Sequence, residues 1–388
     1  MKKTKFFLLG LAALAMTACN KDNEAEPIVE TDATVSFIIK SGEGRAVGDG
    51  LADAKITKLT AMVYAGQIQE GIKTVEEADG VLKVEGIPCK SGANRVLVVV
   101  ANHNYELTGK SLNEVEALTT SLTAENQNAK NLIMTGKSAA FTIKPGSNHY
   151  GYPGGTASDN LVSAGTPLAV TRVHAGISFA GVEVNMATQY QNYYSFKPAD
   201  AKIAALVAKK DSKIFGNSLV SNTNAYLYGV QTPAGLYTPD AAGETYELEA
   251  SLNTNYAVGA GFYVLESKYD ASNELRPTIL CIYGKLLDKD GNPLTEPALT
   301  DAINAGFCDE DGTTYYPVLV NYDGNGYIYS GAITQGQNKI VRNNHYKITL
   351  NITGPGTNTP ENPQPVQANL NVTCQVTPWV VVNQAATW

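Results

Sequence analysis

From Thr34 the chain reads TVSFIIK, which puts Val35, Phe37 and Ile39 on one parity and Ser36 and Lys40 on the other. That period of two marks a strand with one face turned to a core. Short apolar or alternating runs return at 55–64, 94–102, 138–144, 167–184, 224–230, 261–267, 277–287, 316–322, 345–353 and 368–376. Clusters of Gly, Asn, Asp, Pro and Ser separate them and supply the turns. Helical spacing occurs twice. Ser111 and Glu114 form a capping box ahead of Leu112, Val115, Leu118 and Leu122, and PADAKIAALVAKK from 198 reads as a weaker second helix. The expected fold class is mainly β with one or two short helices.

Punctuation divides the chain. HYGYPGGTASDN (149–160) is loop-rich, so a domain boundary is expected near 165, between units 46–165 and 166–353. GPGTNTPENPQP (354–365) carries four prolines. Proline lacks the ladder donor, so this stretch reads as a linker that hands over a separate terminal segment within 354–388.

The first residues change the picture from a plain globular chain to an exported one. Lys2, Lys3 and Lys5 precede the apolar run Phe6–Ala15, which is too short to span a bilayer. AMTAC follows, with Cys19 directly after Ala18. This resembles a bacterial lipobox, which implies a signal peptide over 1–18 and an acylated Cys19. An ordinary secretory signal cut after Ala15 is the other reading. Charged residues make up only 17% and tyrosines number 21, the opposite of a disordered composition. The net charge of −8 gives no basis for binding nucleic acid.

Candidate chemistry does not accumulate. LTGKS (107–111) and MTGKS (134–138) lack the earlier glycine of a phosphate loop, having Asn104 and Asn131 there, and both are expected to be turns. DKDGN (288–292) continues with Pro293 where a calcium loop needs glycine. His103, His149, His174 and His345 are scattered, and the cysteines have no CxxC spacing. No catalytic residue, metal site or cofactor is expected.

The two ends invite a joint reading. Arg45 is alone in SGEGRAVGDG, the only basic residue between Lys40 and Lys55. A cut between Arg45 and Ala46 would discard 19–45, and with it the strand of Val35, Phe37 and Ile39. At the far end Ala368, Leu370, Val372, Cys374 and Val376 alternate with polar residues. Val380 and Val382 continue that parity past Pro378, beside Trp379. One end offers an excisable strand and the other a detachable one, which favours strand addition between molecules. The simpler alternative is that the terminal strand adds an edge to its own domain.

At this point a family comes into view. Cys19, Arg45 after a strand, VLVVVAN (96–102), NLIMTG (131–136), PLAVTRVHAGISF (167–179), FYVLES (262–267), HYKITLNITGPG (345–356) and VTPWVVV (376–382) occur in order along nearly the whole chain. Together they resemble the fimbrillins of Bacteroidota, subunits of type V pili, and most of all the Mfa type. The resemblance implies two transthyretin-like β-sandwich domains, with a lipoprotein precursor at the outer membrane. It further implies cleavage by an arginine-specific surface protease, then homopolymerisation by C-terminal donor strands into a cell-surface fimbrium with accessory tip and anchor subunits. Other readings are a tip or accessory adhesin, and a monomeric surface glycan-binding lipoprotein. Both leave the pairing of Arg45 with an intact donor-like strand unexplained.

Overall fold

The alternating runs fold as ladders. The computed structural model describes residues 30–41, 56–76, 83–128, 132–154, 160–216, 225–231, 245–268, 277–322, 328–331, 338–361 and 370–378. The first half builds a ten-stranded sheet in the order 160–162, 146–150, 32–41, 168–172, 134–137, 92–101, 58–65, 68–76; 83–90 pairs the 32–41 strand and 141–143 pairs 92–101. The strand Lys58–Ala65 shows why its sequence is apolar at nearly every position: both faces are covered. Leu59, Ala61 and Val63 enter one core with Val35, Phe37, Leu97 and Val99, while Met62 and Tyr64 enter another with Leu112, Val115 and Ile133.

That second core runs on into the other half without a break, through Ile177, Phe179, Ile203, Leu280, Ile282, Tyr316, Ile348 and Leu350. Two sheets face it there, one ordered 261–265, 174–184, 344–352, 370–378, 328–331 and one ordered 253–255, 202–206, 279–285, 313–319. Hydrogen bonds also tie the halves: Thr119–Ser121 pairs with Asp211–Lys213, and Thr135 Oγ1 donates to Ile214 O at 3.0 Å.

Several expectations give way here. The MTGKS turn and the second helix are among them, whereas the run 167–184 holds two strands in different sheets, Leu168–Arg172 and His174–Val184, with the change of sheet at Val173. The helix expected from 198 is a 3-10 turn, Pro198–Asp200, followed by the strand Lys202–Leu206. Its Ala- and Lys-rich sequence suits a helix. Burial of Ile203–Leu206 between two neighbouring strands overrides that preference. MTGKS is not a turn, since Met134–Lys137 is a strand. Gly136 sits there because a Cβ would lie 2.5 Å from Ala169 O on the adjoining strand. The capped helix forms over Leu112–Glu116 with both capping-box bonds, but Leu118 and Leu122 lie beyond its end. A helix not anticipated, Ala298–Asn304, covers Leu286 and Cys308 with Ala302.

The start of the proline-rich linker is docked on its own half. Tyr315 and Thr357 exchange backbone hydrogen bonds of 2.9 and 3.0 Å. Tyr316 Oη donates to Gly354 O and Thr314 Oγ1 to Pro355 O. Gly356 is required at that contact, where a Cβ would fall 2.1 Å from Thr314 Oγ1.

Candidate functional site

The N-terminal strand, Asp32–Ser41, lies inside its sheet and has neighbours on both sides. It runs antiparallel to Lys83–Lys90 over Asp32–Ile38, parallel to Gly146–Tyr150 over Ala33–Phe37, and parallel to Leu168–Val170 over Ile39–Ser41. A bulge between Val35 and Phe37 is filled by Ser36, whose Oγ accepts from Gly86 N at 2.9 Å. Val35 and Phe37 are wholly buried and Ile39 nearly so. They pack with Val84, Ile87, Leu97, Leu168 and Val170. The alternation read from the sequence is thus the buried face. Opposite Ala33 the Cys89 thiol is free and buried, and burial pushes it up to about 11.

The beginning of this strand is held by polar contacts that no sequence pattern announces. Thr31 N donates to Ser91 Oγ and Ser91 N to Thr31 O, each at 2.9 Å. Glu30 Oε1 accepts from Arg95 Nη2 at 2.7 Å. Arg95 also meets Glu70 through two bonds of 3.0 and 2.8 Å, the forked geometry that suits guanidinium and carboxylate. Its side chain and that of Glu70 are 8% and 10% exposed, against 60% for Glu30. Gly92 makes the room, since a Cβ there would sit 2.6 Å from the guanidinium. Asp32 meets Lys90 at 2.5 Å out in solvent, where their hydrogen bond holds the Asp32 carboxyl below its usual range.

The C-terminal strand, Leu370–Pro378, sits between Asn344–Ile352 and Ile328–Gly331 in its own half. Leu370, Val372, Cys374 and Val376 stand opposite Ile352, Leu350, Ile348 and Tyr346, and these four partners on Asn344–Ile352 are buried. Residues paired across a ladder are neighbours on one sheet face. The intervening Asn371, Thr373 and Gln375 stand opposite Asn351, Thr349 and Lys347. The described strand therefore completes its own subunit's sheet. Cys19, Arg45, Ala46, Ala368, Trp379, Val380 and Val382 lie outside the described residues.

Among the described residues, no three His, Cys, Asp or Glu side chains converge as metal ligands would. Of the four histidines, His103, His174 and His345 are buried. Burial, with Lys58 beside it, lowers His103 to about 4; burial near Lys347 lowers His345 to about 4; burial near Arg342 lowers His174 to about 3. A histidine held neutral in the fold takes up its proton only on unfolding between these values and about 6.5, so stability rises with pH across that window. Acidification from about pH 7 to about pH 4.5 is expected to cost about 2–3 kcal/mol per histidine as an upper figure. Thermal melts should show a falling Tm over that range; a flat profile would count against the three buried neutral rings.

Two family models match, and they meet where the sheets change. "Major fimbrial subunit protein (FimA)" matches residues 33–172, and "FimA4 pilin C-terminal domain" matches 174–379. A major fimbrium subunit FimA type-4 of Porphyromonas gingivalis is 99% identical over the full length of both chains. A type-5 subunit of the same species is 60% identical over the full length of both. The crystal structure of a fimbrilin (fimA) from P. gingivalis W83 covers 91% of this chain and 99% of its own, with 98% identity and a TM-score of 0.85. These matches correct the Mfa-type affinity expected from the motifs. Short apolar strand motifs reflect a shared β architecture and carry little that separates sister subunits.

Proposed function

The chain belongs to the FimA family of major fimbrial subunits, and from that premise we propose that it polymerises by trading its N-terminal strand for a neighbour's C-terminal strand. It is a structural subunit of the cell-surface fimbrium, not an enzyme. The observation that carries the reading is the place of Asp32–Ser41, inside a sheet between strands on both sides. Cutting after Arg45 frees this strand from the rest of the chain. Val35, Phe37 and Ile39 contribute roughly 5–9 kcal/mol by burial, so a subunit that loses them needs a replacement. Open ladder groups along an apolar slot would otherwise invite unspecific pairing.

A replacement of matching size exists. The vacated strand has ten residues and the C-terminal strand nine, with apolar residues on one parity in each. In the monomer the C-terminal strand lies in its own sheet; on assembly it moves to the neighbour's slot. Lipid on Cys19 holds the precursor at the outer membrane, and an arginine-specific surface protease releases residues from Ala46 onward. The two halves are read as transthyretin-like sandwiches, with accessory tip and anchor subunits at the fibre ends.

The test is the N-terminal sequence of polymer sheared from cells. It should begin at Ala46. Polymer that still carries residues 20–45 would sink the proposal.

A further inference from the structure

We infer that the excised segment is itself a ligand: after the cut, residues 30–41 stay bound to the cleaved subunit, clamped by Arg95 and Ser91, and compete with the incoming donor strand. The inference rests on the proposed cleavage and exchange. Cleavage at Arg45 removes one covalent link, yet every noncovalent contact of the segment remains. Those contacts are graded along its length. Near the cut, Ile39–Ser41 pair, among the described residues, with Leu168–Val170 alone. Ala33–Phe37 are paired on both sides. Beyond them the far end is bound by two Thr31–Ser91 hydrogen bonds, one to the Ser91 hydroxyl and one between backbones, and by Glu30 on Arg95.

The clamp is selective. Arg95 is nearly buried, and a charge-assisted bond to a guanidinium screened from water is stronger than one in solvent. Residues 366–388 contain no Asp or Glu, so a donor strand brings no side-chain carboxylate to replace Glu30. After exchange Arg95 keeps Glu70 and the carbonyls of Ser91 and Ala93 but loses the Glu30 carboxylate. The clamp thus distinguishes the subunit's own excised segment from a donor, and displacement starts from the loosely held Ile39 end, along Leu168–Val170.

The experiment cuts purified subunit with trace trypsin and analyses it by size exclusion with mass spectrometry. The excised segment should co-elute with the cleaved body. A synthetic peptide of residues 28–42 is then titrated against ladder formation. A Glu30→Gln peptide should need about tenfold more material for the same inhibition. An Asp32→Asn peptide should stay within about twofold, because its pair with Lys90 is exposed. A segment that elutes apart at once, or equal potency of the two altered peptides, overturns the clamp. A cut subunit that retains its segment but never forms a ladder upholds the clamp and overturns the assembly reading. A chain not cut after Arg45 overturns both.

Discussion

An Arg45→Ala subunit should remain at full length and form no fimbria. The reason is topological before it is energetic. With residues 32–41 joined to everything after Ala46, the strand can leave its slot only by a local unfolding that returns it at once. A donor at any reachable concentration competes with a strand tethered at effectively far higher concentration. The two-sided pairing of Ala33–Phe37 adds to the barrier. Unboiled detergent gels should show a single precursor band where the parent shows a ladder, and the precursor should fractionate with lipid. Arg45→Lys separates protease choice from strand mechanics. An arginine-specific enzyme leaves it uncut, while added trypsin cuts it and should restore the ladder. A ladder from uncut Arg45→Ala protein would remove cleavage from the mechanism.

Much of this arrangement was legible along the chain, and the limits have physical causes. Val35, Phe37 and Ile39 were readable because a strand buried on one face repeats every two residues. Leu370–Val376 read as a strand for the same reason, and a strand pairs there with Asn344–Ile352. Lys202–Leu206 misled because Ala and Lys favour helix locally, whereas the neighbours that make it a strand come from residues 253–255 and 279–285. Glu30, Glu70, Ser91 and Arg95 were invisible as a group, since contacts 25 and 65 residues apart leave no periodic trace. Gly92 and Gly136 gave a faint signal. Each is a glycine whose absent Cβ leaves room for a guanidinium or a carbonyl, but a sequence does not say which.

Paired substitutions on the C-terminal strand should act by face. Leu370→Asp with Val372→Asp places two carboxylates on the parity opposite Ile352 and Leu350, both wholly buried. Burying an unpaired carboxylate costs several kcal/mol, enough to prevent insertion of the strand into any apolar slot. The ladder should vanish, as it should when 366–388 are deleted. Asn369→Asp with Asn371→Asp adds the same charge on the other parity, and Asn371 stands opposite a half-buried Asn351; the ladder should persist. The core-face variant also loses its strand at home, so a failed ladder alone does not separate donation from misfolding. Mixing resolves this. A cleaved core-face variant that remains folded keeps its own acceptor slot, so it should accept a parent strand while donating none. Added to parent subunits at increasing ratio, it should shorten the ladder step by step, as a chain terminator does. A variant that leaves the parent ladder unchanged would mean that its slot is not an acceptor, and equal effects from the two substitution pairs would mean that the faces are assigned the wrong way round.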